Sequence, residues 1–453
     1  MTEERFHPVL GSKDVLALAF GAMIGWGWVV LAGGWVITAG AAGAMIAFAI
    51  GGLVVVLIGL TYAELASAMP LTGGEHVYSH RALGSGASFF CTWAIVLGYV
   101  SVVAFEAVAL PTVTEHLFPN YKVGLLWNVA GWDVYLTWAL VGSVGAIAMT
   151  WLNIRGIQTT ALLQKTVTLL ILLAGIMLVT GALANGDSSN MEPLFVDGAK
   201  GLLLVLIMTP FMFVGFDVIP QAAEEIKLPR QQIGRILIIS VVMAVVWYIL
   251  MILSVSMALS PEENAASTLS TADAMTVAFS SSWAGKILVL AGIGGIITSW
   301  NAFLVGGSRA IFAMARARML PAFLARMHPQ YNTPVNAILM IGAFSVIAPF
   351  FGRKSLVWLV DAGGLGIVAA YATVALSFIV LRKREPEMER PFKVPMGMFV
   401  GYAALILSLG IILLYMPGSP AALVWPYEWA IVGAWSLLGL LLYLRARSAV
   451  SQK

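Results

Sequence analysis

Apolar runs of about twenty residues, separated by short polar connections, recur along the whole chain. Each is long enough to cross about 30 Å of hydrocarbon as a helix. The pattern predicts twelve spans, at 15–40, 44–68, 87–113, 133–152, 159–184, 200–224, 234–259, 285–315, 334–351, 355–381, 398–416 and 427–445. Short alternating segments of the barrel type do not appear. The expectation is an all-α polytopic membrane protein whose outer polar stretches are 1–14 and 446–453.

Two of these runs are interrupted where a lipid-facing helix would be continuous. Residues 21–35, GAMIGWGWVVLAGGW, place Gly21, Gly25, Gly27, Gly33 and Gly34 in the first span. Residues 208–225, MTPFMFVGFDVIPQAAEE, put Gly215, Asp217 and Pro220 in the sixth. Glycines in a membrane helix often serve close packing, and Gly21 and Gly25 form such a GxxxG pair. Two breaks five spans apart, one beside an acid, point instead to a transporter built from inverted repeats. Non-helical backbone at that depth survives only where protein or a water-filled cavity satisfies it. Half-helix N-termini offer N–H groups to an anion, and C-terminal ends offer carbonyls to a cation.

Composition agrees with this setting. The 453 residues are 60% hydrophobic and 10% charged, against about 25% charged in soluble domains. Mean hydropathy is +0.92. Lys122, Lys200, Lys286, Arg353 and Lys354 fall on one side of the predicted topology, and the other 20 of the 25 Lys and Arg fall on the second. Basic residues stay with cytoplasmic loops, so both termini are expected in the cytoplasm, in a plasma membrane of the bacterial inner-membrane kind. The net charge of +3 then reflects topology and gives no sign of nucleic-acid binding. The expected partners are the lipid bilayer and a small solute. No cleavable leader is expected, because the first apolar run is too long and has no A-x-A site. The lone Cys91 has no intramolecular disulfide partner.

An ionised side chain at a helix centre costs about 2.5–3.5 kcal/mol on insertion scales, so each buried acid needs a reason. Glu64, Glu224 and Glu225 lie near span ends, where Arg or Lys can pair with them. Asp217 sits at the break and is expected to cap the half-helix that follows. Glu106 lies in the outer third of the third span with no cation nearby in sequence. It reads as a proton carrier or as an attractant for amines, with snorkelling toward the surface as the plain alternative. Asp361 starts the tenth span and suits an external gate. No H-E-x-x-H or Walker sequence is present, and His7, His76, His80, His116 and His328 are scattered. An enzyme is therefore not expected. A channel would more often show a repeated filter or charged ring.

Several stretches carry a likeness to known proteins. YAELASAMPLTGGEHVYSHRALG (62–84), FVGFDVIPQAAEEIKLP (213–229), SRAIFAMARARMLP (308–321), TPVNAI (333–338) and RPFKVP (390–395) are the residues concerned. Together they resemble the amino acid–polyamine–organocation superfamily of secondary transporters, from about residue 10 to residue 395. The resemblance implies a five-plus-five inverted repeat, 15–184 and 200–381, followed by two further spans within 398–445. It implies a solute bound between the first and sixth breaks, near Ala22, Ile24, Gly25, Trp26, Gly27, Phe211, Phe213, Gly215, Phe216 and Asp217. Gly25, Trp26 and Gly27 stand at the family's Gly-Ser-Gly position, and Phe211 stands at its aromatic lid. Trp26 in place of serine suits an organic cation, since an ammonium over an indole gains roughly 0.5–2 kcal/mol. Ile171 falls where many relatives carry a lysine that takes part in coupling. Thr298 and Ser299, with the Ala22 carbonyl, resemble a sodium site of the wider fold class. Glu106, Thr298, Ser299 and Asp361 are thus the candidates for coupling or gating. No cofactor is expected beyond a coupling ion, either Na⁺ or H⁺. ARARM (315–319) replaces the family's Ala-Arg-Asp-Gly and removes an acidic partner from that loop. The function implied is a permease for an amino acid or a related organic amine, with a carboxylate-free amine as the alternative.

Overall fold

The computed structural model describes residues 6–118 and 120–451, without the side chains of 116, 157–160 and 447–451. Arg5 and Lys453, and the side chains of His116 and Arg447, which entered the charge and histidine readings, lie outside it. Among the described residues, 11 helical segments are long and apolar enough to cross a membrane, from Ser12–Ala39 to Tyr427–Ala446. A shorter apolar helix, Val335–Phe351, occupies the place predicted for the ninth span. Counted in chain order with that helix as the ninth, the segments follow the predicted runs to within a few residues.

The first segment is two helices, Ser12–Met23 and Gly27–Ala39. The sixth is broken twice, into Gly198–Leu206, Thr209–Phe213 and Val218–Gln221. Long, largely unbroken helices surround them. The third segment, Ser85–Leu117, packs on the eighth, Ser282–Arg316, and on the tenth, Ser355–Arg384. The second packs on the seventh, the fourth on the ninth, and the fifth on the eighth.

One element departs from the all-helical expectation. The fourth segment starts at Leu136, not 133, because residues before it form a hairpin of Leu125–Val129 with Trp132–Tyr135. Ala130 and Gly131 turn it with φ of 50° and 80°, the two positive values that match a tight hairpin to strand twist. The Asn128 side chain accepts from the Gly131 N–H at 2.8 Å. Lys354, before the tenth segment, donates to the Ala130 carbonyl, so the hairpin marks one face of the bundle.

The other face carries both ends of the described chain. Val9 and Leu10 donate to the Glu225 carbonyl at 2.8 and 2.9 Å, and Lys227 donates to Leu10 at 2.9 Å. Phe89, near the start of the third segment, packs on Tyr443, with centroids 4.6 Å apart. The same face holds Glu64, only 1% exposed. Its carboxylate accepts from Arg382 at 2.9 and 2.5 Å, from Arg390 at 3.0 Å and from the Val394 N–H at 2.8 Å. YAEL and RPFKVP, more than three hundred residues apart in the chain, therefore meet at one carboxylate. Removing it strands two guanidinium groups, and breaking a buried pair this way costs about 3–5 kcal/mol. Glu64→Ala should lower the melting temperature of the detergent-solubilised protein sharply, and Glu64→Gln should lower it less. Thermal denaturation of the two variants beside the parent checks this.

Candidate functional site

Each break releases peptide groups from helical pairing, and neighbouring segments take them up. At the first break the Tyr248 hydroxyl donates to the Met23 carbonyl at 2.7 Å. Trp28 Nε1 donates to Ile24 O at 3.2 Å. Thr298 donates to Gly21 O and to Gly295 O, both at 3.1 Å. The Trp26 N–H meets the Glu106 carboxylate, which also receives the Ser299 hydroxyl.

At the sixth segment, the Tyr415 hydroxyl donates to Ile207 O at 2.5 Å, just past the end of the first helical piece. Val214–Asp217 then turn, with Gly215 at φ +137°. A side chain there would be strained, and a Cβ would stand 2.8 Å from Ala22 Cβ and 3.0 Å from the Met23 N. The two breaks touch at this glycine. Asp217 Oδ1 accepts from the Gly215 N–H at 2.7 Å, and Oδ2 accepts from Tyr99 at 2.6 Å. The expected cap is therefore corrected. Asp217 makes no side-chain bond to the helix that follows it, because its carboxylate turns back to the N–H freed by the break.

Between the breaks lies a small cavity of about 20 Å³ lined by buried residues, the room of roughly one water. Ala22, Gly25, Gly27, Glu106, Phe211 and Ser299 line it, as the sequence brought them forward. Met23, Val102, Phe105, Met212, Tyr248 and Phe303 complete it. Val102, Phe105, Tyr248 and Phe303 carry no sequence signal of their own, since each sits within a run that reads as plain membrane helix, while Met23 and Met212 fall inside the two interrupted stretches. The lining holds one acid, Glu106, and no basic side chain. A larger groove of about 540 Å³ runs between the third, ninth, tenth and twelfth segments, but its wall is almost wholly apolar.

The other predicted residues surround this cavity without lining it. The Trp26 indole, expected to face the solute, lies over Gly292 of the eighth segment, where a Cβ would stand 2.2 Å from the ring. Gly292 leaves a space there that the indole fills. Phe213 packs on Phe48 and Tyr248, and Phe216 packs on Tyr62 and Tyr371. Ile24 contributes its backbone. Asp361 lies toward the hairpin face, where its carboxyl meets that of Glu428. The Thr298 hydroxyl is committed to two carbonyls and that of Ser299 to Glu106. Ile171 is buried near Gly294 on the eighth segment.

A family model described as amino acid permease matches residues 10–442. The chain belongs to the amino acid permease family. This is a family of transporters and not of enzymes. A methylthioribose transporter of Bacillus subtilis is 28% identical over 96% of this chain and 92% of its own length. A branched-chain amino acid permease of the same organism is 26% identical over 91% of this chain and 89% of its own. Cationic amino acid transporter 4 of Mus musculus is 28% identical over 84% of this chain and 60% of its own. The chain is a multi-pass membrane transporter of small molecules.

In this permease packed side chains lie on both sides of the cavity. Toward the hairpin face, Phe211 packs edge-on to Phe105, with centroids 5.7 Å apart, and closes against Gly363. Toward the terminal face, Phe216, Tyr62 and Tyr371 form one aromatic layer. Beyond it, Gln221 bonds to the buried Glu75, whose carboxyl is pushed well up by burial and by the charge of Asp217. Furthest out, Arg309 clasps Glu225 at 2.9 and 3.1 Å. Burial pushes the Glu225 carboxyl up and the guanidinium draws it back down.

Two substitutions separate the cavity from its surround. A Cβ at Gly25 would stand 2.6 Å from Ser299 Cβ and 2.9 Å from Glu106 Oε1. Gly25→Ala should therefore abolish transport while leaving a folded protein. Trp26→Ser empties the space over Gly292 and should cost about 3–5 kcal/mol, as large aromatic truncations do, with substrate preference unchanged. Uptake and melting temperature measured on both variants check the pair.

Proposed function

We propose that the chain is a secondary active transporter that moves an amino acid or a related organic amine by alternating access. One observation carries this reading: the two broken segments meet around a small cavity with buried walls that holds a buried acid. A cavity of one water's size cannot hold such a solute, so binding requires the broken segments to part. Closing layers on either side give the parts that would open in turn.

The finer architecture is twelve membrane helices, two repeats of five at 15–184 and 200–381, and two more within 398–445. Helix packing supports it. Exchanging the first five segments with the next five turns the third–tenth contact into eighth–fifth, first–seventh into sixth–second, and third–ninth into eighth–fourth. The pairs second–seventh, third–eighth and fourth–ninth map onto themselves. Five crossings per repeat, an odd number, invert the second repeat relative to the first. The basic residues support cytoplasmic termini, in a bacterial inner membrane. Glu106 is the candidate carrier for proton coupling. Thr298 and Ser299 donate their hydroxyl protons to present partners and keep oxygen lone pairs that a sodium ion would use.

Counterflow in proteoliposomes tests the reading. Vesicles loaded with unlabelled substrate should take up labelled substrate several-fold faster than empty ones. Ohmic current without such acceleration would mean a channel and would defeat the proposal.

A further inference from the structure

The solute's chemistry can be narrowed further, on the basis of the transporter reading. The start of the Gly27–Ala39 half-helix offers N–H groups that favour an anion. In this chain a side-chain carboxyl group already occupies that place. Glu106 of the third segment reaches the Trp26 N–H and the Ser299 hydroxyl there. Gly25 makes room for that carboxylate, since a Cβ would stand 2.9 Å from Glu106 Oε1. Glu106 is 2% exposed, and its Oε2 is buried with no hydrogen-bond partner. No basic side chain lines the cavity, while Phe105, Phe211, Tyr248 and Phe303 do.

An α-amino acid would bring, beside its ammonium, a second carboxylate, and no basic side chain in the lining is there to receive it. Like charges at such distances in a buried site repel strongly. We infer that the substrate is an organic cation without a carboxylate, a primary amine whose ammonium binds Glu106 Oε2. Its carbon skeleton lies among the aromatic rings, which favour both apolar surface and positive charge. The carbonyls at the end of the Ser12–Met23 helix add acceptors for the remaining N–H groups.

Matched pairs that differ only in the carboxylate test this. The probes are isoamylamine against leucine, ethanolamine against serine, and putrescine against ornithine, with methylthioribose as a neutral control. Each is applied to the full-length protein in a thermal-shift assay, where a ligand of the folded state raises the melting temperature, and then in counterflow. At least one amine should stabilise the protein and drive counterflow, with its partner amino acid weaker by about tenfold or more. Glu106→Gln should weaken that amine by about tenfold, and Glu106→Asp should weaken it less while keeping amines ahead. If Glu106→Gln does not fold, the pair comparison on the parent protein decides alone. An amino acid ahead of its amine, methylthioribose ahead of both, no response to any amine, or an unchanged amine affinity in Glu106→Gln would each overturn the inference. The transporter reading fails separately, if a stabilising ligand drives no counterflow at all.

Discussion

Hydrocarbon offers no hydrogen bonds, so each peptide group that leaves a helix inside the bilayer must find a partner within the protein. The two interrupted segments create that demand, and much of the surrounding bundle answers it. Tyr248 of the seventh segment, Thr298 and Ser299 of the eighth, Glu106 of the third and Tyr415 of the eleventh all turn toward the two breaks. Their positions follow from it. A tyrosine in an apolar helix such as Arg230–Ala258 would otherwise carry a buried hydroxyl at a cost. Here the Met23 carbonyl at 2.7 Å removes that cost.

The same constraint explains how the proposed site can close down to so small a cavity. Partners taken from neighbouring helices hold the breaks together in the closed arrangement, without any solute. Gly25 and Gly215 permit the contact, one toward Glu106 and Ser299, the other toward Ala22 and Met23. A solute that enters must compete with these internal bonds and replace some of them. The closed state is thereby stable, yet each of its bonds can be exchanged for one to a ligand. Closure elsewhere is of a different kind. Glu64 with its two arginines, and Glu225 with Arg309, are charged clasps at the terminal face. Aromatic layers at Phe211 and at Tyr62, Phe216 and Tyr371 lie nearer the cavity.

Much of this was legible from residue pattern. Segment lengths follow directly from the thickness of hydrocarbon; the first break was marked by glycines and the sixth by glycine, proline and an acid. Glu106 stood out because an acid in an apolar helix is expensive, and it lies at the cavity. Side-chain direction was not legible. Trp26 neighbours two cavity glycines in sequence, but one residue's rotation around a broken helix turns its indole onto Gly292. Asp217 was placed correctly at the break and assigned the wrong N–H, because its carboxylate bonds back to the Gly215 N–H within the turn that precedes the next helix. Only the end of the Leu125–Tyr135 hairpin, residues 133–135, was absorbed into the predicted span 133–152, since Val134 and Tyr135 are as apolar as a helix start. The rest fell in a predicted connection. Glu428 escaped attention for the opposite reason. It sits at a span end, where an acid needs no explanation, and its meeting with Asp361 depends on tertiary packing alone.

The most direct measurement is an experimental density map of the protein with a stabilising amine bound in lipid nanodiscs. The account predicts the ligand between the parted breaks, its ammonium against Glu106 and the freed carbonyls near Met23, with Phe211 displaced or closed over it. A ligand bound in the apolar groove beside the twelfth segment, with the contact between Gly215 and Ala22 unchanged, would contradict it.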